Sequence, residues 1–567
     1  MGRIGERLSG VATRVGEASS GAPGLVRALA NSGLLAPTSP RRLVAAGAAV
    51  RHWGVGLAGG VAANAARHPN RPAISDPSGT VSWAELDMRS DAEARALAGI
   101  GVKDGSVVGL LCRNHLGFAE TTVALGKLGA TVLLANTGFA GPQLRDTLAR
   151  EGAATLVCDP AFTPLVDGAG DLRVVVVDTP GDDTPPPGGV ACLGDLAATE
   201  PAGRPAAPRS TARVVVLTSG TTGTPKGAGR PQTTGLATGL SILERIPYRH
   251  GDTMVVPAPL FHSWGFAHLG LGVLLAGTLV LRPRFDPEET LALIAAHRAR
   301  VLVAVPVMLA RILAVPPEVR RRYDTSSLEV VALSGSALPG GLATAWMDTF
   351  GDNLYNLYGS TEVGWASIAT PVDLRRDPST AGRPPRGTTV RILDPDNTEV
   401  PTGTTGRIFV GSSLTFDGYT DGRNKQVVDG LMSTGDTGHL NADGLLFVEG
   451  RSDEMIVSGG ENVFPREVEE TIECLDGVVE AAVVGVPDDD FGQRLAALVV
   501  VDPAHPHPPA ADAVRQGVAA TLARFKVPRD VVFTSALPRN PTGKVLRAEV
   551  TRIIGRAGDG DGTSPGA

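Results

Sequence analysis

Short β-branched runs, each followed by a glycine- or proline-rich loop and then a helical stretch, recur from about residue 53 to residue 450 of this 567-residue chain. RVVVVD at 173–178, RVVVL at 213–217, VLVAV at 301–305 and LEVVAL at 328–333 are continuous apolar strands without alternation. A strand that is apolar on both sides has to be buried on both faces, as in parallel sheets covered by helices. The pattern predicts an α/β body of parallel-rich sheets with ligands in the loops beyond the strand ends. Near residue 450 the pattern changes: PREVEETIECL puts Val468, Ile472 and Leu475 at helical spacing, and VEAAVVGV and RLAALVVV read as strands joined by the turn PDDDFGQ. The expected organisation is a basic extension at 1–52, a large domain at 53–450, a small α+β domain at 451–556 and a disordered tail at 557–567.

A net charge of −7, from 59 acidic and 52 basic residues, excludes a nucleic-acid-binding charge balance. The basic residues are skewed: 46 are Arg and six are Lys. Cys112, Cys158, Cys192 and Cys474 form no CxxC pair and have no His at metal spacing, which argues against zinc and disulfides and for a reducing, cytoplasmic setting. The most apolar window, Gly265 to Leu281, is interrupted by His268 and several glycines and falls short of the roughly 20 residues of a membrane span. It reads as a buried core segment.

One stretch departs from the acidic balance. Between Ala18 and Ser75 there is no acidic residue, while Arg27, Arg41, Arg42, Arg51, Arg67 and Arg71 occur. A helix over 41–53 places Leu43, Ala46, Val50 and Trp53 on one face, with Arg41 and His52 opposite. Two readings follow: a helix lying on an anionic membrane surface, and a helix packed on its own domain with its arginines in solvent.

The segment TSGTTGTPKG, Thr218 to Gly227, directly follows the strand RVVVL. Gly220, Gly223 and Gly227 let the backbone wrap an anion. The hydroxyls of Ser219, Thr221 and Thr222 donate to phosphate oxygens, and Lys226 adds a point charge. It is not a Walker A loop, because Pro225 precedes the lysine and Gly227, rather than Ser or Thr, follows it.

These ten residues resemble the phosphate loop of the adenylate-forming superfamily, which includes acyl-CoA synthetases, peptide-synthetase adenylation domains and firefly-type luciferases. Other motifs similar to that family's follow in its order: YGSTE at 358–362, STGD at 433–436, GRSDEMIVSGGENVFPREVEE at 450–470 and PRNPTGK at 538–544. The likeness spans about residues 53–555. It implies a large body with a small mobile C-terminal domain, and a two-step reaction: a carboxylate attacks the α-phosphate of ATP, then a thiol displaces AMP from the acyl-adenylate.

By this resemblance Thr218, Ser219, Gly220, Thr221, Thr222, Gly223 and Lys226 hold the β- and γ-phosphates, Glu362 binds Mg²⁺, and Thr361 contacts the α-phosphate. Asp436 accepts from the ribose hydroxyls with Arg451 beside it. Gly335, Ser336 and Ala337 with Asn356, Tyr358 and Gly359 form the adenine pocket, Tyr358 stacking on the ring. Lys544 is similar to the mobile lysine bridging carboxylate and α-phosphate, and Asp453 matches the hinge. Ser458, Gly459, Gly460 and Glu461 match a channel for the pantetheine arm of coenzyme A. His262, in PLFHSWGF, is the candidate beside the reacting carboxylate; the alternative is a core histidine with a backbone partner.

The implied activity is a fatty acid–CoA ligase of medium to long chain, with GFAHLGLGVLLAG lining the acyl tunnel. Alternatives are an acyl-AMP ligase serving a carrier protein, a ligase for aryl or other acids, and, from a different class, an inactive acyl-nucleotide sensor.

Overall fold

The computed structural model describes residues 32–33, 39–181, 188–201, 203–218, 226–229, 241–416, 418–420, 422, 424–452, 454–458, 461–488, 492–541 and 543–558. The predicted site residues Ser219, Gly220, Thr221, Thr222, Gly223, Asp453, Gly459 and Gly460 lie outside them, as do the side chains of Thr218 and Lys226.

Among the described residues the strands form four sheets. The first runs Gly364–Ala369, Leu354–Ser360, Val330–Leu333, Val301–Ala304, Thr253–Val255, Thr278–Val280, Pro72–Asp76 and Gly79–Ser82. Its inner strands are parallel and its two edge pairings antiparallel. The second runs Ala191–Cys192, Arg173–Val176, Thr155–Cys158, Val107–Leu111, Thr131–Leu134 and Arg213–Thr218, all parallel, and ends on antiparallel Lys226–Gly229. Val301–Ala304 and Val330–Leu333 are buried at every position, as continuous apolar runs require. A third, antiparallel sheet is built on Thr389–Leu393, Gly406–Gly411 and Leu431–Leu440, with Leu446–Arg451 paired to the last.

The small domain carries the fourth sheet. Val478–Asp488 pairs antiparallel with Gly492–Val501, and Asp530–Thr534 adds in parallel. The helix Pro465–Glu473 buries Val468 and Ile472 against it, as its spacing predicts. The helix Arg547–Gly558 buries Val550 and Ile554 on its other face. Ala557 and Gly558 belong to that helix, which corrects the expected tail boundary: apolar anchoring at Ile554 carries the last turn past it.

The helix Pro40–Trp53 buries Ala46 and packs Ala49 and Trp53 against Ala58 and Ala62 of Leu57–Arg67. Small residues let the two helices approach closely, so the alanines rather than Leu43 form the buried stripe. Leu43 and Val44 face outward. The predicted core segment is a helix, Ser263–Leu274, followed by the strand Thr278–Val280. Among the described residues, no helix is long and apolar enough to cross a membrane.

Burial in the small domain has a measurable cost. Glu473 accepts from the Ala481 N–H at 3.2 Å, and burial, reinforced by Glu469, Glu480 and Glu470, pushes its carboxyl up to about 8 from 4.5. Between those values the native state keeps a proton that the unfolded chain releases, so stability is greatest at the acid end and falls as pH rises through the window. Glu473→Gln is expected to remove that slope and stabilise the domain by ~1 kcal/mol or more near pH 8. Denaturation midpoints at either end of the window check this; equal slopes in the two proteins would refute it.

Candidate active site between the two domains

The ends of the phosphate-loop segment are fixed although its middle is not described. Thr218 and Lys226 face each other across the antiparallel pairing of their strands, so residues 219–225 leave and return at one point. The Thr420 N–H donates to Gly227 O at 2.9 Å, and a Cβ on Gly227 would meet Thr420 Oγ1 at 2.7 Å. This packing requires glycine and ties the loop's exit to the third sheet's approach segment.

Strand pairing brings the predicted nucleotide residues together. Leu333 pairs with Asn356, so the loop carrying Gly335, Ser336 and Ala337 leaves beside Asn356 and Tyr358. Gly335 has φ +95°, a left-handed conformation in which glycine alone is unstrained. Gly359 lies so close to Gly364 that a Cβ would meet its carbonyl oxygen at 2.0 Å. Across the cleft, Asp436 pairs with Arg451, and the Arg451 guanidinium lies 3.7 Å from the Asp436 carboxylate. The Tyr358 hydroxyl donates to Asp436 Oδ2 at 2.5 Å. Burial, then the Asp436 charge, pushes the phenol well above its ordinary range, so it remains a donor. Tyr358 thus orients the carboxylate as well as lining the pocket.

Glu362 is largely buried next to this cluster. Burial raises its carboxyl, but the Lys425 ammonium and the hydroxyls of Tyr419 and Ser360 outweigh that and hold it below its usual value. The Tyr419 hydroxyl donates to Glu362 Oε1 at 2.7 Å. Lys425 Nζ donates to Thr434 O at 2.7 Å, and a Cβ on Gly435 would meet Arg451 Nη2 at 3.3 Å and Lys425 Nζ at 3.4 Å. Two cations therefore flank a glycine immediately before Asp436.

His262 caps the helix Ser263–Leu274, and its neighbour Ser263 accepts at 3.5 Å from Thr361 Oγ1. Burial, then the charge of Lys544, pushes His262 down to about 3, so the ring is neutral at pH 7. Its Nε2 is buried without a partner among the described residues, and so is Asn356 Oδ1. A core histidine satisfied by the protein is seen instead at His268, which lies 2.7 Å from the Tyr248 hydroxyl and 3.0 Å from Trp264 O.

Lys544 comes from the small domain. Its loop is closed by Asn540, whose N–H donates to Lys544 O at 2.9 Å and whose Oδ1 accepts from the Lys544 N–H at 3.0 Å. The loop abuts the body: a Cβ on Gly543 would meet Val307 Cγ1 at 2.7 Å, and one on Gly138 would meet Pro541 Cγ at 2.6 Å. The lysine is thereby delivered to His262.

On either side of Asp453 the chain is held by different bodies. The Ser452 N–H donates to Gly435 O at 2.9 Å, and Glu454 pairs with Arg547 of the small domain at 2.9 Å. Ser458 and Glu461 face each other where Ile456–Ser458 pairs with Glu461–Val463 in the small domain's sheet.

The donor set suits a nucleotide and a hard cation: an ionised buried carboxylate at Glu362, an oriented one at Asp436, an unsatisfied acceptor at Asn356 and cations at Lys425, Arg451 and Lys544. Tyr419 and Lys425 escaped the sequence reading because their segment carries no motif; the rarity of lysine was the available signal. A second cluster, Cys112, His115 and Asp159, has ligand atoms within 4.8 Å of one another. Both imidazole nitrogens are engaged, Nε2 at 2.8 Å from Asp159 Oδ1 and Nδ1 accepting from the Gly117 N–H, which makes it a structural pair.

Residues 61–420 match the family described as AMP-binding enzyme, and residues 467–544 match its C-terminal domain. The chain is 32% identical over 504 residues to an indoleacetate–CoA ligase of Aromatoleum aromaticum, covering 87% of this chain and 97% of that one. It is 28% identical over 487 residues to a long-chain-fatty-acid–CoA ligase of Mycobacterium tuberculosis, covering 84% and 94%. Among solved structures, an anthranilate CoA ligase in complex with anthranoyl-AMP aligns with a TM-score of 0.79 and 26% identity, over 89% of this chain and 98% of that one.

Proposed function

Because the chain belongs to the AMP-binding enzyme family of adenylate-forming ligases, we propose that it joins a fatty acid of medium to long chain to coenzyme A, consuming ATP and releasing AMP and pyrophosphate. The observation that carries the chemistry is the docking of the small-domain loop that brings the Lys544 charge to His262, whose neighbour Ser263 accepts from Thr361. In the first step a carboxylate oxygen bonds to the α-phosphorus of ATP and the bond to pyrophosphate breaks. Lys544 offsets the negative charge gathering between the two anions, and neutral His262 adds a polar contact without a competing cation. Asn356 Oδ1 accepts from the adenine amine, and Asp436, set by Tyr358, accepts from the ribose. Glu362 is the residue to hold Mg²⁺, which when bound neutralises phosphate charge. In the second step the thiol of coenzyme A attacks the acyl carbon and AMP leaves.

A stripe on the helix Ser263–Leu274 supports the acyl chain. Ser263, Phe266, Ala267 and Gly270 are partly exposed and Leu274 is exposed, while Trp264, Gly265, His268, Leu269 and Leu271 are buried. Beyond its chain neighbours and its own helix backbone, no atom among the described residues lies within 4 Å of a Cβ built on Gly270, whereas one on Gly272 would meet Leu279 at 2.9 Å. The stripe extends about 16 Å from Ser263 to Leu274, more than a single aromatic ring fills. Relatives named for indoleacetate and ferulate favour a second reading, an aryl acid.

A panel of short to very long fatty acids and aryl acids, with ATP, Mg²⁺ and coenzyme A, separates the two by kcat/KM. The expected result is CoA-dependent AMP release with thioester product, rising with chain length up to the reach of the stripe; each added methylene is worth ~1 kcal/mol. A preference for aryl acids would overturn the fatty-acid reading alone. Acyl transfer only to a carrier protein would overturn the coenzyme A step, and absence of pyrophosphate exchange with every acid would overturn both.

A further inference from the structure

The helix Pro40–Trp53 has its inner face fully used. Ala46, Ala49 and Trp53 pack on the next helix, and the Trp53 ring lies 5.4 Å from the ammonium of Lys127, itself buried between Asp87 and Asp91 at 2.7 and 2.6 Å. The outer face is therefore presented rigidly. In a chain of net charge −7 an outer helix face is expected to mix acids with bases. This one has no acid and carries apolar side chains: Leu43 is 52% exposed, Val44 73%, and Val55, just beyond the helix, 58%. Arg41, Arg42 and Arg51 are exposed among them.

The adjoining end of the second helix deepens the asymmetry. Arg42 Nη1 donates to Arg67 O at 3.1 Å, Arg71 Nη1 donates to His250 Nε2 at 3.0 Å, and the rings of His68 and His250 are 5.0 Å apart. Arg67 Nε, His68 Nε2 and His250 Nδ1 are buried without partners among the described residues. Asp252, the carboxylate whose field reaches His250, is engaged by Arg300 at 2.6 Å. Burial first, then His250, Arg67, Arg71 and Arg42, push His68 down to about 4, so its ring is neutral among these arginines. An apolar rim beside guanidinium groups that have no acidic partner among the described residues complements a surface that is apolar within and phosphate-bearing outside.

We propose that Leu43, Val44 and Val55, with Arg41, Arg42, Arg51 and the Arg67–His68–Arg71–His250 cluster, form a docking surface for an anionic phospholipid bilayer. The apolar side chains enter the acyl boundary and the cationic groups take headgroup phosphates. The contact is peripheral and leaves the catalytic cleft intact.

The test is co-sedimentation of the full chain with phosphatidylcholine vesicles, with and without roughly one-third phosphatidylglycerol. The chain is expected to pellet with the anionic vesicles only, and to be released as salt shortens the Debye length from about 10 Å to about 3 Å. Leu43→Ser with Val44→Ser, and separately Arg41→Gln with Arg51→Gln, should each lower partitioning by about tenfold, with ligase activity on a water-soluble acid and the unfolding midpoint unchanged. Inorganic phosphate at matched ionic strength should leave vesicle binding intact; its abolition would mark a free-anion pocket and overturn the bilayer assignment. Failure to pellet, equal pelleting with neutral vesicles, or unaffected binding by both variants would overturn it as well.

Discussion

Lys544→Ala is expected to lower acid-dependent ATP–pyrophosphate exchange by roughly 10²–10³-fold, the range for removing one oriented donor from a transition state. The fold should survive. The Lys544 side chain is exposed, its loop is closed by backbone and Asn540 contacts that alanine keeps, and the small domain's core of Val468, Ile472, Ala497 and Val499 is elsewhere. Lys544→Arg should not rescue, because a planar guanidinium is bulkier and differently hydrated than the compact ammonium it would replace. Thioester formation from supplied acyl-adenylate should be largely retained, since the lysine serves the first step. An unchanged exchange rate, or equal loss of both half-reactions, would remove Lys544 from its assigned role.

Glu362→Gln should be comparably damaging, about 10²-fold or more in adenylation, for a different reason. The substitution keeps shape and leaves an oxygen for the Tyr419 hydroxyl, but removes the negative charge that Lys425 and Tyr419 hold in place. Mg²⁺-dependent nucleotide binding, followed by calorimetry, is expected to weaken together with the rate. Binding that stays as strong and as dependent on Mg²⁺ as in the parent would show that the ion is held elsewhere.

The parallel strands of the first sheet were legible because Val301–Ala304 and Val330–Leu333 are apolar at every position, a pattern no half-exposed strand needs. The third sheet was not. Thr389–Leu393 alternates exposed Thr389 and Arg391 with buried Val390 and Ile392, too short an alternation to stand out from turns. The N-terminal helix was legible as a helix, and two residues of its expected face, Ala46 and Trp53, are buried. Hydrophobicity also put Leu43 on that face, whereas close packing took Ala49, where small size matters more than apolar area.

In the proposed site, the sequence marked residues with motifs around them and passed over those on unmarked chain. Tyr419 and Lys425 touch Glu362 and Gly435 only because the third sheet folds back across the cleft. The scarce lysines now divide by environment. Lys127 is a buried structural cation, Lys526 pairs with Glu467 at 2.6 Å, and Lys425 and Lys544 carry charge into the cleft. Nothing in the structure explains why residue 103 is lysine.

The loop that brings Lys544 meets the body through Gly543 on Val307 and Pro541 on Gly138, a seam of a few methylene groups. In the proposed two-step cycle that seam is expected to part before the thiol reaches the acyl carbon. Its grip is a timer: too loose and adenylate forms seldom, too tight and finished adenylate waits. Gly138 and Gly543, where an added methyl group would clash across the seam, are the positions expected to shift that balance.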